Sequence, residues 1–245
     1  MLFRSMSAFS ISAVLGVPTG LFFANHFDWR APFLLVATLA VLVLLGVWKV
    51  VPAMRGHIRT DGTSRDAIRQ LRAVFSEPNH RRAFAMMATL IFGGFSVIPF
   101  ISPYMVANVG LKETDLPYLY FFGGMATAFT SRWFGRLSDR HGKREVFTVV
   151  ASISILPLLI TTNMPPWPVW LAVAASVVFF IFISGRFVPA MALLNSAALP
   201  GQRGSVLSLS SAIQQLASGC ASLLSGLLID QTASGSIASL AQPRP

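Results

Sequence analysis

Charged residues are scarce in this chain. Asp, Glu, Lys and Arg make up only 11% of its 245 residues, whereas hydrophobic residues make up 54%. Soluble domains carry roughly 25% charged residues, because the outward faces of their helices must meet water. The scarcity excludes an ordinary soluble domain, and the sequence therefore predicts an integral membrane protein surrounded by a lipid bilayer.

Cysteine and acidic residues are also few. With a single cysteine, Cys220, the chain can form neither an intrachain disulfide nor a thiolate metal cluster. The nine Asp and Glu residues and the four His residues all fall in predicted loops or at the ends of apolar runs. This placement excludes a proton carrier in the middle of the membrane, and no grouping of nucleophile, base or metal ligands is present. We predict a protein that is not an enzyme and that needs no metal and no cofactor.

Apolar runs of about 20 residues, the length that crosses a hydrocarbon core as a helix, recur along the chain. They predict an all-α fold, a polytopic membrane bundle of about seven transmembrane helices. The predicted spans are 7–27, 31–51, 83–106, 116–131, 146–162, 168–188 and 205–229. Glycines and prolines in the third of these spans predict a broken helix. The polar tail 230–245 is predicted to be disordered.

The basic residues predict the orientation of the spans. The net charge is +10, and 16 of the 19 Lys and Arg residues fall on the side that holds the amino terminus, against only Arg30, Lys112 and Arg244 on the other. By the positive-inside rule, the amino terminus and the central linker 52–82 are cytoplasmic, as in an inner (plasma) membrane protein. Because the cations lie between apolar runs rather than along one solvated face, nucleic acid is not the expected partner.

The linker 52–82 is the one substantial loop that the sequence predicts. Within it, apolar Ile68, Leu71, Val74 and Phe75 fall on one helical face, with arginines mostly elsewhere. This pattern predicts a short amphipathic helix. Its apolar face could lie on the inner membrane surface, or the helix could be a solvated connection with no contact to lipid.

A charged segment separates the fourth and fifth spans. Residues 135–144, here called the signature segment, read Gly-Arg-Leu-Ser-Asp-Arg-His-Gly-Lys-Arg. We expect a turn, since Gly135 and Gly142 permit backbone geometry that a side chain would forbid. Charge alone favours a basic turn at the membrane edge that does no more than fix orientation.

The spacing within this segment resembles the signature cytoplasmic loop of the major facilitator superfamily, in the copy found in the carboxyl-terminal half. The pattern Leu15-Gly16-Val17-Pro18-x-Gly20 resembles the fifth helix of its sugar-efflux and drug-proton antiporter branch. Arg186-x-x-Pro189 resembles the tenth helix. The resemblance implies a partial chain covering helices 5 to 11 of twelve. Its parts would be 1–51 from the first half, the central loop 52–82, 83–229 from the second half, and the tail 230–245.

The resemblance also implies roles for particular residues. The conformational latch would comprise Gly135, Leu137, Asp139, Arg140, Gly142, Lys143 and Arg144. Helix packing and a kink in the first span would involve Gly16, Pro18 and Gly20. The candidate substrate cavity would include Arg186, Gln214, Gln215 and Ser218. Asp139 would bind the backbone amides of residues 4–7 and so hold the cytoplasmic side closed.

Alternatives to these roles remain open from the residues alone. The glycines of the first span could serve packing only, the two glutamines could bond neighbouring helices, and Arg186 could extend to the cytoplasmic interface. The expected function is transport of a small molecule (efflux of a sugar, drug or metabolite) by alternating access. Protons would be coupled only in the complete protein, and missing helices could come from another chain. The alternative is a non-transporting membrane fragment or interaction protein derived from a permease.

Overall fold

The computed structural model describes residues 16, 19–20, 22–24, 26–50, 64–199, 201–231 and 237–239. Apart from two short strands, the regular structure in these residues is helical. The longer helices are α1 (Ala31–Val50), α2 (Ser64–Ser76), α3 (Pro78–Phe95), α4 (Ile101–Ala107), α5 (Leu116–His141), α6 (Lys143–Ile153), α7 (Ile155–Thr162), α8 (Val169–Ala197) and α9 (Arg203–Leu228). Single 3-10 turns lie at Ile98–Phe100 and Glu113–Asp115.

Among the described residues, four stretches are long and apolar enough to cross a membrane: Ala31–Lys49, Pro78–Ala107, Lys143–Thr162 and Val169–Ala197. They correspond to the second, third, fifth and sixth predicted spans. Helices α5 and α9, at 26 residues each, are about 39 Å long, which is also sufficient to cross. Both carry more polar residues than the other four. Most of the first predicted span lies outside the described residues.

The predicted break in the third span is confirmed. Helix α3 ends at Phe95, and a 3-10 turn precedes α4. Pro99 has no N–H to donate to the Phe95 carbonyl, so the α-helical ladder cannot continue there. The Ser222 hydroxyl of α9 donates to this carbonyl instead, over 3.5 Å. A neighbouring helix thus supplies the hydrogen bond that lipid could not.

A second break was not predicted. The span expected at 146–162 is divided into α6 and α7 by a turn at Ser154. Pro157 explains the division, since it cannot donate to the Ile153 carbonyl one turn earlier. Helix α8, by contrast, runs through Pro189 to Ala197.

The signature segment is not the turn that the sequence suggested. Helix α5 continues through residues 135–141, and only Gly142 separates it from α6. The extra turns are stabilised by packing, because Phe134 is buried in a small core with Val146 and Val150 of α6, and Leu137 packs against it. Local charge predicted a loop, and these long-range contacts favoured a helix.

Helix α8 is the centre of the bundle. It packs against α3, α5, α6 and α7, while α3 also packs against α9. One apolar core, around Met105, Leu119 and Phe179, joins α4, α5 and α8. A second core, around Met87, Leu194 and Val206, joins α3, α8 and α9 at the opposite end.

Apart from Arg186, the cations of helices α3, α5, α6, α8 and α9 collect at the second of these ends, here called the basic end. There α3, α6 and α9 begin, and α5 and α8 finish. Its Lys and Arg residues are Arg81, Arg82, Arg132, Arg136, Arg140, Lys143, Arg144 and Arg203. The opposite end of these helices has Lys112.

Helices α5 and α8 interlock through reciprocal contacts of phenylalanine with glycine. A Cβ built on Gly123 would lie 2.5 Å from Cδ2 of Phe180, and one built on Gly185 would lie 2.5 Å from Cε2 of Phe134. No side chain fits at either position without displacing a ring. The absence of a Cβ is therefore what lets the two helices approach this closely.

Three other elements flank this bundle. Helix α2 docks through Val74, which is 0% exposed, whereas Leu71 and Phe75 are each 45% exposed. Most of α1 is exposed, and its apolar stretch Ala31–Lys49 contributes no buried residue to the core. The tail, predicted to be disordered, contributes a strand pair instead, Ile229–Gln231 with Ile237–Ser239.

Gly185→Ala tests the interlock. We expect it to lower the free energy of unfolding by about 1–3 kcal/mol, because the new methyl group would meet the Phe134 ring. The matched control is Gly219→Ala in α9, where a Cβ would have no neighbour within 4 Å. That change should be neutral or stabilising by up to about 1 kcal/mol. Thermal unfolding in detergent, followed by tryptophan fluorescence, measures both, and equal midpoints would contradict the proposed packing.

Candidate functional site

The signature segment has one face that packs into the bundle. An ideal Cβ on Gly135 would lie 3.9 Å from Cγ1 of Val188 in α8, an ordinary contact. Leu137 packs against the core around Phe134. Ser138 is 3% exposed, and its hydroxyl has no partner among the described residues. These positions hold the end of α5 against α6 and α8.

Gly142 makes the sharp reversal from α5 into α6. Its φ of 94° and ψ of 136° lie in a region that residues with a Cβ rarely adopt. The Glu145 carboxylate folds directly over it, where a Cβ would have to stand. Two separate constraints, backbone conformation and contact, therefore require glycine at this position.

The charged residues of the segment lie on its outer face. Asp139, Arg140 and Arg144 are exposed. The Asp139 carboxylate has no hydrogen-bond or ion-pair partner among the described residues. Asp139 lies in the last turn of α5, not in the turn that was expected for this segment. Its expected partner, residues 4–7, lies outside the described residues.

Lys143 links two helices at the basic end. Its Nζ donates to the Ser196 hydroxyl over 2.5 Å. Lys143 is the first residue of α6, and Ser196 is in the last turn of α8. The bond therefore shows that the start of α6 and the end of α8 are level with each other.

Arg186 lies inside the bundle, between three helical segments. Its Nη1 donates to the hydroxyl of Ser154, at the junction of α6 and α7, over 3.4 Å. Its Nη2 lies 3.8 Å from an ideal Cβ on Gly94 of α3. Its Nε is buried with no hydrogen-bond partner in the described part of the chain. A cation at the centre of a membrane helix costs about 3 kcal/mol on insertion scales, so its retention here calls for a reason.

The remaining residues of the expected cavity lie on α9. Gln214 donates to the Ser210 hydroxyl over 3.0 Å, and Ser218 donates to the Gln215 carbonyl over 2.9 Å. Both bonds stay within one helix. Among the described residues, no hydrogen bond joins this group to Arg186. The structure thus brings Arg186 together with Ser154 and Gly94 rather than with the glutamines.

The first predicted span is described only in part. Gly16 and Gly20 are helical, and a Cβ on Gly20 would have no neighbour within 4 Å. Pro18 lies outside the described residues. The packing and kink expected for these residues therefore stay predictions.

Sequence reasoning missed the role of His80. We expected it at the end of a span, yet it is 0% exposed, with Nδ1 3.0 Å from the Val74 carbonyl oxygen and Nε2 unpartnered among the described residues. This contact holds α2 against the start of α3. Pro78 was the available signal, because proline at the first position of a helix marks a new helix after α2.

Two tyrosines join helices at the end opposite the basic end, and these contacts were not predicted from the sequence. Tyr120 and Ser102 share a hydrogen bond of 2.5 Å between their hydroxyls. The Tyr104 hydroxyl donates to the Met164 carbonyl over 3.1 Å. These bonds connect α4 to α5 and to the loop after α7, so this end of the bundle is closed by both polar and apolar contacts.

A groove of about 450 Å³ lies between α5 and α8. Its lining is almost entirely apolar: Phe122, Met125, Ala126, Phe129, Trp170, Val173, Ala174 and Val177. Sites for small polar molecules need a few polar groups to orient the ligand. The one polar group among these side chains is the indole N–H of Trp170, so this groove is not the candidate substrate site.

Comparisons with a family profile and with individual proteins agree on one family. Residues 4–222 match the profile of the Major Facilitator Superfamily. The chain is 26% identical over 157 residues to AraJ of Escherichia coli (strain K12), a protein named as a transporter. It is 24% identical over 165 residues to a protein of Helicobacter pylori (strain ATCC 700392 / 26695) named as a probable sugar efflux transporter. It is 25% identical over 224 residues to YceJ of Bacillus subtilis (strain 168), named as an uncharacterized MFS-type transporter.

These matches cover much of this chain but less of the relatives. They cover 63%, 67% and 90% of this chain, and 38%, 41% and 55% of the three relatives in the same order. The chain thus spans about half the length of the curated relatives it matches. No solved structure gives a significant match.

Gly142→Ala tests the reversal in the signature segment. We expect it to lower the free energy of unfolding by about 1–3 kcal/mol, since alanine is strained at this φ and its Cβ would meet Glu145. The control is Gly135→Ala, whose Cβ fits at ordinary distance from Val188. Adding Glu145→Ala to Gly142→Ala should restore only part of the loss. Thermal unfolding in detergent measures the stability of each variant. Full restoration of wild-type stability in the double variant would disprove a contribution from backbone strain at Gly142.

Proposed function

The chain belongs to the major facilitator superfamily, and on that premise we propose that it takes part in moving a small molecule across a membrane by alternating access. It is a multi-pass integral membrane protein with apolar helices of spanning length. The match to the family profile over residues 4–222 is the observation that carries the proposal. The broken span Pro78–Ala107 supports the proposal. A helix whose backbone hydrogen bonds are interrupted can bend while a carrier opens first to one side of the membrane and then to the other.

The proposed cargo is a small polar molecule, and the proposed direction is efflux. A Helicobacter pylori relative is named for sugar efflux. The described spans contain polar groups that could bond such a molecule, among them Gln214, Gln215 and Ser218 on α9, and we propose these as cavity residues. Proton coupling, where it occurs, would use carboxylates outside the described spans.

We propose that the basic end faces the cytoplasm of a cell whose inner membrane holds the protein. Eight cations at that end, set against Lys112 at the other end of these helices, favour this orientation. In this arrangement the signature segment lies at the cytoplasmic surface. Arg140, Lys143 and Arg144 would then also meet lipid phosphates.

We also propose that the signature segment acts as a conformational latch. Gly135, Leu137 and Gly142 would set the segment's shape, while Asp139 would bind the positive end of a partner helix in one state only. The exposure of Asp139 supports this role, because a carboxylate without a partner in the described residues is available for another contact.

A second candidate is a membrane protein that does not transport by itself. Helix α1 favours this second candidate. Its apolar stretch Ala31–Lys49 is not buried against the other described helices, and it exposes large apolar side chains such as Leu44 and Trp48. A carrier needs two bundles around a central path. If α1 belongs to the other bundle, further helices must cover it, whether from the same protein or from another chain.

Cysteine labelling tests the proposed orientation. In a Cys220→Ser background, we expect Thr114→Cys to react with a membrane-impermeant maleimide in intact cells, and His141→Cys to react only after permeabilisation. Both positions are exposed, and they lie at opposite ends of α5 and its preceding turn. The Cys220→Ser variant, which has no cysteine, is the control for non-specific labelling. The reverse pattern would refute the orientation.

Release of labelled sugar from liposomes tests transport and the latch together. If the 245-residue chain forms a transport path without further helices, it should release labelled sugar faster than empty liposomes do. Asp139→Asn should change the rate roughly 5- to 30-fold, because losing a charge at a helix terminus removes about 1–2 kcal/mol from one state. Glu113→Gln, an exposed acid at the other end, is the control.

Two results would count against these proposals separately. No release above the blank would favour the non-transporting alternative. Release that is equal for wild type, Asp139→Asn and Glu113→Gln would leave transport standing and exclude the latch.

A further inference from the structure

The Arg186 guanidinium lies close to the middle of the membrane-spanning helices. Arg186 precedes the end of α8 at Ala197 by eleven residues, and Ser154 follows the start of α6 at Lys143 by eleven. At 1.5 Å per residue, each is about 16 Å from the basic end. The bond from Lys143 to Ser196 makes those two helix ends level, so both estimates refer to one plane. Half the thickness of a hydrocarbon core is about 15 Å.

The guanidinium stays at this depth instead of extending to the membrane surface. Its Nη1 reaches Ser154 on one side, and its Nη2 packs over Gly94 on the other. Because Ser154 is itself at mid-depth, these contacts hold the charge inside the bundle. They argue against the alternative in which Arg186 extends to the cytoplasmic interface.

Among the described residues, the groups around Arg186 leave its charge uncompensated. The Ser154 hydroxyl donates its own hydrogen to the Ala151 carbonyl over 2.7 Å, so it only accepts from Arg186, and it carries no charge. The Nε is buried without a partner in the described part of the chain. The carboxylates of the described spans and their turns lie near the ends: Asp28, Glu77, Glu113, Asp115, Asp139 and Glu145. None of them is level with Arg186.

Arg186 is open to a partner through its exposed part rather than on the side of Gly94. Gly94 is buried, and an ideal Cβ there would be in ordinary contact with Ile98 Cδ1 at 3.7 Å and Arg186 Nη2 at 3.8 Å. Arg186 is partly exposed rather than sealed. A flat guanidinium with unused N–H groups binds a carboxylate through two parallel hydrogen bonds, and such bonds are strong away from water.

We infer that Arg186 binds the carboxylate of a small organic anion, and that the cargo class of this protein includes carboxylated molecules. The inference rests on the proposed transport function and narrows its substrate. Ionisable residues inside a membrane pair with a counter-charge, and a substrate carboxylate supplies the charge that the described helices lack.

Paired ligands test the inference on the purified 245-residue chain in detergent. Glucuronate and glucose differ mainly by one carboxylate, as do benzoate and benzyl alcohol. We expect the acid of at least one pair to bind at least tenfold more tightly than its neutral partner, measured by titration calorimetry. Arg186→Gln should remove that preference and leave the neutral ligand unchanged. Arg186→Lys should keep part of it, because lysine retains the charge but not the planar fork.

The control is Arg82→Gln, which removes an exposed cation near the start of α3 and should preserve the preference. Thermal midpoints without ligand show whether each variant folds. If Arg186→Gln does not fold, the binding of each acid and its neutral counterpart to the wild-type protein still tests the inference. The inference is overturned if neither acid is preferred, or if Arg186→Gln retains the preference.

The same proteins separate this inference from the proposed transport function. Binding that depends on Arg186, with no release of any solute from liposomes, would reject transport by this chain alone and keep the anion site. Release of glucose and glucuronate at equal rates, unchanged by Arg186→Gln, would keep transport and reject the anion site.

Discussion

Hydrocarbon offers no hydrogen bonds, and the structure is arranged around that constraint. Wherever a proline removes a backbone donor, the freed carbonyl needs another partner or the helix must turn. At Pro99 the hydroxyl of Ser222 takes over from the missing N–H, and this ties α9 to the break in the third span. At Pro157 the ladder turns at Ser154, and the hydroxyl there meets Arg186. The breaks are thus also the places where helices exchange polar contacts.

The same constraint determines how the helices pack. Burying apolar side chains against one another gains little where lipid is equally apolar, so close approach and shape carry more of the stability. The reciprocal insertion of Phe180 toward Gly123 and of Phe134 toward Gly185 is such a fit, and it locks α5 to α8. Since α8 also contacts α3, α6 and α7, this fit positions both the signature segment and Arg186.

Sequence patterns predicted those features that depend on local composition. Spanning length, the break near Pro99 and the reversal at Gly142 each follow from residues that dominate their own neighbourhood. The helical continuation of α5 through residues 135–141 could not be predicted in this way, because it depends on Phe134 packing against α6. His80 is similar: Pro78 marks the start of a new helix, but the burial of His80 arises from the packing of α2 against α3. For the site, the sequence identified Arg186 as unusual, but only the fold brings Ser154 and Gly94 to it.

The signature segment combines two kinds of residue that a motif alone does not separate. Gly135, Leu137 and Gly142 face the bundle or set the backbone, so their effects belong to the fold seen here. Asp139, Arg140 and Arg144 are exposed, and exposed charges contribute little to the stability of a single state. A functional effect of these charges must therefore arise in a state, or against a partner, other than the contacts described. Such a division suits a switch, because a latch that stabilised one state through buried contacts would also hinder its own release.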